Sequence, residues 1–305
     1  MRYKPSSPIN AIILSIAGVS AAFAAGIFAV TVYRPAQNSQ VAAVAETIIV
    51  PEVYPKPIQL DPATLVAKAA LVYDPTTGTI LFEKDARNAL PLASLTKLMT
   101  IETVLAHVAT NTVVTITADD LAPDGDWGLM VGDKARLSDL IRLGIIASSN
   151  DAMEAVANTL GMNSITEMNA TARKLGLTSS HFSNPTGLDE SATVAGAYGS
   201  AYDVALLAHQ VYSDHPEYFD LTQQSTVSIP VSGRTVTSKA TATPLLSIPG
   251  LVGAKTGYTD LAGGNLVAIF DLDIAHPLVL VVLGSTEEGR FSDIRTLISA
   301  TRNSQ

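Results

Sequence analysis

Apolar residues run without a charge from position 11 to 33 (AIILSIAGVSAAFAAGIFAVTVY), long enough for a helix to cross about 30 Å of hydrocarbon. Arg2 and Lys4 precede the run and Arg34 follows it, a modest bias that favours a cytoplasmic N-terminus and an exported body. A cleaved signal peptide is the alternative, with Ala22-Phe23-Ala24 as its small-x-small site. Cleavage there leaves the apolar stretch Gly26 to Tyr33 on the mature end, so an uncleaved anchor over 1–34 is the expectation. Pro35, Pro51, Pro55 and Pro57 then rule out a long helix and predict an extended spacer over 35–60. The pattern after it predicts one domain over 61–305.

Within that domain the periodicity changes twice. AALVYD and TILFEKD are strand-like around a Pro75 to Gly78 turn, which predicts a hairpin over 68–85. Leu95, Leu98, Met99, Ile101, Leu105 and Val108 are spaced for a helix beginning at Ser94. Residues 112–117 read as a short strand, and helices are predicted over 137–146, 151–160, 163–175 and 200–213. After 223 the chain alternates again. TVSIPV and RTVTS flank Ser232-Gly233, then come LVGAKTG, GGNLVAIFDL and PLVLVVLGS, and a helix over 290–301 closes the chain. The order predicts an α+β domain: an antiparallel sheet with the first and last helices on it, interrupted by a helical lobe.

Composition narrows the function classes. The net charge of −9 and the lack of a Lys/Arg-rich stretch argue against a nucleic-acid partner. There is no cysteine, which excludes disulfides, thiol catalysis and Cys-zinc sites. The five histidines form no His-Glu-x-x-His pattern, so no metal or other cofactor is expected and the histidines are assigned to surface or packing roles. Asp119, Asp120, Asp124 and Asp126 have only part of a calcium-loop spacing and are read as a solvated loop. Trp127, on the same loop, is expected to pack locally.

Three short motifs can carry chemistry. In Ser94-Leu95-Thr96-Lys97 the hydroxyl and the amine share one helix face, and a neutral lysine can take the serine proton. A free lysine has a pKa near 10.4, so Lys97 needs burial or a second cation to serve. Ser148-Ser149-Asn150 lies between two predicted helices, where a hydroxyl and an amide can relay a proton and hold a substrate amide, or merely cap a helix. Lys255-Thr256-Gly257 lies on a predicted strand. It offers a cation and a hydroxyl to a carboxylate beside a glycine that admits close approach, or is an edge strand with a protective lysine. Each motif alone is weak. Their order and their intervals of 54 and 107 residues form a set.

With that set, the chain resembles the serine-type D-Ala-D-Ala carboxypeptidases, the low-molecular-weight penicillin-binding proteins. The resemblance runs from about Ala67 to Ser299 and includes Ala70 to Asp74 with Leu81 to Lys84, Ala93 to Thr100, Ser148 to Ala152, Phe182 to Leu188, and Gly253 to Thr259 with Ala262-Gly263. It implies the penicilloyl serine transferase (β-lactamase-like) fold, a peptidoglycan stem peptide as substrate and β-lactams as covalent inhibitors. It implies Ser94 as nucleophile, Lys97 as general base, Ser148 as proton relay and Asn150 as substrate-orienting group. Lys255, Thr256 and Arg290 would meet the terminal carboxylate beside Gly257, and the N–H groups of Ser94 and Tyr258 would form the oxyanion hole. The anchored domain would then work outside the membrane.

The chain departs from the family pattern in two places. Leu92 stands where a proline usually precedes Ala-Ser, and Ala197-Tyr198-Gly199-Ser200 stands where a histidine precedes a Ser/Thr pair. Two rivals remain on the sequence: a class A-like β-lactamase, for which no Glu-x-x-Leu-Asn segment is found between 150 and 200, and a non-catalytic wall-binding protein of the same fold.

Overall fold

The computed structural model describes residues 56–122, 125, 128–272 and 276–304. The apolar run 11–33, most of the spacer, Trp127, Asp124 and Asp126 lie outside them. Among the described residues no helix is long and apolar enough to cross a membrane.

The elements in order are β1 (Ala69–Asp74), β2 (Thr79–Lys84), β3 (Leu90–Pro91), α1 (Thr96–Leu105), β4 (Val113–Thr115), β5 (Lys134–Arg136), α2 (Leu137–Ile146), α3 (Asn150–Asn158) and α4 (Ser164–Lys174). They continue with β6 (His181–Phe182), β7 (Ala197–Gly199), α5 (Ala201–Asp214), α6 (Pro216–Leu221), β8 (Thr226–Val231), β9 (Arg234–Lys239), β10 (Leu251–Thr259), β11 (Gly263–Asp271), β12 (Pro277–Ser285) and α7 (Gly289–Asn303). The main sheet is antiparallel, in the order β10-β11-β12-β1-β2.

β1, β11 and β12 are near-continuous apolar runs because both faces of the sheet are covered. Alternate residues enter separate cores. Leu71, Val267, Ile269, Val279, Val281 and Leu283 face the helical lobe, while Val72, Leu266, Ala268, Phe270, Leu280 and Val282 join Phe291, Ile294, Leu297 and Ile298 of α7. Each fully buried Leu, Ile or Phe contributes about 1.5–3 kcal/mol, so this double-faced sheet is the rigid base on which the site stands.

The last helix lies on the sheet as predicted, but the first does not. α5 covers the face opposite α7, and α1 packs instead among α2, α3, α4 and α5. The reason is visible along the two helices. α5 buries one stripe, with Val204, Ala205, Leu207, Ala208 and Val211, whereas α1 is buried from Thr96 to Val104, polar residues included. A helix buried all round belongs inside a lobe.

Other differences are local. α6 is an extra short helix, opened by Pro216 at its first turn. β8 and β9 pair through Ser232 and Gly233, both at positive φ as a tight two-residue hairpin turn requires. The packed chain starts before position 61: Ile58 is buried and its N–H donates to Leu81 O at 2.8 Å. Asp120 is buried rather than solvated, accepting from Thr117 N at 2.7 Å.

Candidate active site

Ser94 sits in a 3-10 turn, Ala93–Leu95, that leads from β3 into α1. The helix therefore starts two residues later than the periodicity suggested, but the i, i+3 relation survives. Lys97 Nζ lies 2.7 Å from Ser94 Oγ. Lys97 is fully buried, and its Nζ also donates to Asn150 Oδ1 at 2.8 Å and Thr186 O at 3.1 Å. Burial lowers its pKa to about 7, against the opposing pull of the Glu154 carboxylate. A neutral amine has two N–H donors and one lone pair. With the carbonyl-type oxygens of Asn150 and Thr186 taking the two donors, the lone pair is left for the Ser94 hydroxyl. This arrangement can activate a serine.

Ser148 and Asn150 come from the loop between α2 and α3. Capping there falls to the residue between them: Ser149 Oγ accepts from Ala152 N at 3.1 Å. That leaves the flanking side chains for the site. Ser148 holds a φ of 63°, a left-handed conformation unusual for a residue with a Cβ. Its Oγ accepts from Lys255 Nζ at 2.9 Å, and Lys255 also donates to Thr256 O at 2.7 Å. Lys255 is fully buried, and its pKa is held well below the usual lysine range by burial first, then by the cations of Lys97 and Arg290. Arg290, on α7, is buried and donates from Nη1 to Gly257 O at 2.8 Å. All nine sequence-chosen residues thus fall in one neighbourhood. Thr256 Oγ1 bonds Thr241 Oγ1 at 2.7 Å, and Tyr258 contributes through its backbone while its ring is exposed.

β10 is an edge strand, and its outer edge faces the nucleophile turn. Ala254 N–H donates off that edge to Thr222 Oγ1 at 2.9 Å. The strand period of two turns the N–H groups of Thr256 and Tyr258 the same way. Gly257 makes the approach possible: a methyl built on it would lie 3.0 Å from Ser94 N and 3.1 Å from Leu92 O. The backbone of Ser94 therefore lies directly against β10 at Gly257, one residue before Tyr258.

Sequence reasoning assigned no role to several residues that hold this arrangement. Asn184 Oδ1 accepts from Gly187 N at 2.7 Å and so shapes the turn that presents Thr186 O to Lys97. Gly187 has φ 80°, and a methyl on it would stand 1.9 Å from Ala93 O. Asn265 Nδ2 donates to Pro91 O at 2.8 Å, while its Oδ1 accepts from Gly284 N at 2.8 Å, tying the nucleophile turn to the sheet. Asp189 bridges the lobe to the end of β10, accepting from Thr259 Oγ1 at 3.0 Å and Leu261 N at 3.1 Å. The signal available in the sequence was the run Ser183-Asn184-Pro185-Thr186-Gly187, whose turn residues mark a fixed loop without showing what it touches.

Among the described residues no group of three or more acidic, His or Cys side chains could hold a metal ion. Residues 56–287 match the family model described as D-alanyl-D-alanine carboxypeptidase. D-alanyl-D-alanine carboxypeptidase DacD of Escherichia coli is 31% identical over 260 residues, covering 79% of this chain and 64% of that protein, so the chain spans a little under two thirds of its length. DacF of Bacillus subtilis is 27% identical over 245 residues, covering 76% and 61% of the two chains. Among solved structures, D-alanyl-D-alanine carboxypeptidase of Mycobacterium tuberculosis superposes with a TM-score of 0.70 at 25% identity, covering 82% of this chain and 95% of that one. Penicillin-binding protein D2 of Listeria monocytogenes, solved with ampicillin bound, gives 0.66 at 29% identity over 80% and 98%. The fold is thus the penicilloyl serine transferase fold of these neighbours, and the chain belongs to the D-alanyl-D-alanine carboxypeptidase family.

Proposed function

We propose that the protein is a serine D-alanyl-D-alanine carboxypeptidase that removes the terminal D-alanine from peptidoglycan stem peptides and is acylated by β-lactams. The observation that carries this reading is the buried Lys97 amine 2.7 Å from Ser94 Oγ, with its N–H groups already engaged. Ser94 gives its proton to Lys97 and attacks the carbonyl carbon between the two D-alanines. The oxyanion forms between the N–H groups of Ser94 and Tyr258, where each donor contributes roughly 3–4 kcal/mol in other enzymes. The intermediate collapses to an ester on Ser94, and the departing D-alanine amine takes its proton through Ser148, which bonds Lys255. Water then hydrolyses the ester and frees Ser94.

Substrate choice follows from charge and edge. Lys255 and Arg290 bring two basic side chains to a place where the only acidic neighbour within 4.0 Å of Arg290, among the described residues, is the exposed Glu287. That suits a C-terminal carboxylate. The free edge of β10 suits an extended peptide laid alongside it. The relatives named carboxypeptidases, and the ampicillin-bound neighbour, support the same chemistry. We assign residues 11–33 as a membrane anchor with the catalytic domain outside, on the strength of their length and lack of charge. Recovery of the intact chain in the membrane fraction checks that assignment, and a soluble product beginning near Ala25 would refute it.

The test of activity is labelling with a fluorescent penicillin, together with release of D-alanine from a peptide ending in D-Ala-D-Ala. Wild type should form a covalent adduct and release D-alanine, and Ser94→Ala should do neither. A folded wild type that stays unlabelled would remove the proposal.

A further inference from the structure

α3 carries a polar line of which the chemistry above uses only the first member. Asn150, Glu154 and Asn158 are spaced four residues apart, so they lie on one helix face over about 12 Å. At one end Asn150 Oδ1 is 2.8 Å from Lys97 Nζ. At the other, Asn158 Nδ2 donates to the buried Asp120 at 2.5 Å. α3 packs against α1 and against the 3-10 turn Asp119–Leu121. Glu154 is half-buried midway along the line, between the base and a second carboxylate.

The electrostatics agree with that placement. Burial first, then Asp120, raises the Glu154 pKa to about 7, and Lys97 pulls it down. The same pair is felt from the other side, since Glu154 is the one charge that opposes the lowering of Lys97. Of the other charged groups on elements packed against α3, Asp139 and Arg142 of α2 pair with each other at 3.1 Å and Asp119 faces solvent. Glu102 of α1 is buried, and its pKa is raised by burial first and then by Asp214, with Lys174 pulling it down. Asp151 is on α3 itself, and β4 and the 161–163 turn carry no charge.

We propose that Glu154 is a positioning residue acting through Lys97, the counter-charge for the ammonium that Lys97 becomes when Ser94 surrenders its proton. This rests on the acylation reading above. The proton moves from Ser94 Oγ to Lys97 Nζ and is not passed to Glu154, whose carboxylate offsets the new ammonium charge in a site already crowded with Lys255 and Arg290. Removing the charge then has two opposite effects on one rate. Lys97 sheds its proton more readily, so the acidic limb of acylation moves to lower pH. It is also a weaker base with an uncompensated product charge, so the alkaline plateau falls.

The experiment is the rate of labelling by a fluorescent penicillin from pH 5 to 9, on the full chain, for wild type, Glu154→Gln and Glu154→Asp. Glu154→Gln is expected to shift the acidic limb downward and lower the plateau roughly three- to tenfold. Glu154→Asp keeps the charge and should restore most of both. Damage to the fold lowers the rate at every pH without moving the limb, so an unmoved limb overturns the proposal whatever the plateau does. Loss of both effects in Glu154→Gln would also overturn it. A wild type that no penicillin labels at any pH would instead overturn the acylation reading, and the proposal with it.

Discussion

Replacing Lys97 with methionine separates what the site costs in stability from what it does. The wild-type amine is fully buried, and its pKa falls from 10.5 to about 7 on folding. Between those values the unfolded chain holds a proton that the folded chain has lost, so wild-type stability rises with pH across this window. One pKa unit corresponds to about 1.4 kcal/mol. Linkage over the interval from pH 6 to pH 9 then gives the wild type a gain of about 2–3 kcal/mol relative to Lys97→Met, which has no proton to lose there. Above the unfolded value near 10.5 the two curves should run parallel. Glu154 adds to the difference with the same sign, because without Lys97 its raised pKa rises further and the variant loses more stability as pH increases. The offset between the curves is set by Asn150 Oδ1 and Thr186 O, which lose a donor in the variant at roughly 1–3 kcal/mol each. The offset does not change with pH, so the slope reports the titration of the Lys97 amine together with the two groups that feel its charge, Glu154 and Lys255. The assay is urea unfolding of both proteins at several pH values between 6 and 9. A difference that stays flat over that range would mean that folded Lys97 keeps its proton throughout, and it would then have no lone pair for Ser94 in neutral solution.

Three further outcomes follow from contacts at the site and beneath it. Gly257→Ala places a methyl 3.0 Å from Ser94 N and 3.1 Å from Leu92 O, so penicillin labelling should fall by at least about tenfold while the melting temperature barely moves, since one oxyanion donor is displaced but no core is opened. Asn265→Ala strips partners from Pro91 O and Gly284 N in a fully buried position and should cost roughly 2–4 kcal/mol in urea unfolding, with labelling slowed as well because Pro91 leads into the nucleophile turn. Asp293→Ala removes the acceptor of Val66 N and Ala67 N, both at 2.9 Å, and of Ser285 Oγ at 2.7 Å; it should cost roughly 3 kcal/mol or more and leave the labelling rate of the folded fraction unchanged.

The features legible in the sequence were those written in short-range periods. The alternation in TVSIPV places Val227, Ile229 and Val231 inward, as the structure shows, and the i, i+3 spacing of Ser94 and Lys97 brings hydroxyl and amine together. Features that depend on what faces what were not legible. α1 and α5 both look amphipathic, yet only α5 lies on the sheet, because α1 is enclosed by four other helices. Thr186, Asn265 and Asp189 act through partners 89, 174 and 70 residues away, and no local pattern encodes such a distance. Glu154 was invisible for the opposite reason: an acidic residue mid-helix is ordinary, and only the burial of its face and the amine beyond it make it otherwise.

Side-chain reach alone does not explain how distant stretches meet at one serine. Two close backbone contacts do. Gly187 presses from the helical lobe on Ala93 O, and Gly257 presses from the sheet on Ser94 N, so the nucleophile turn is held between them. Ala93 at φ 48° and Ser148 at φ 63° are bent into left-handed conformations within this clamp, each at a cost of about 1–3 kcal/mol. Such strain persists only where the surroundings over-determine the backbone. The buried lysines impose a second cost, since each must give up hydration and lie near another cation. The compensating stability comes from the sheet, whose central strands are packed on both faces far from the chemistry. The distances that matter for acylation are therefore set by main-chain packing at two glycines. A methyl added there should cost more activity than loss of a peripheral charge such as Glu287, which lies 3.8 Å from Arg290 in open solvent.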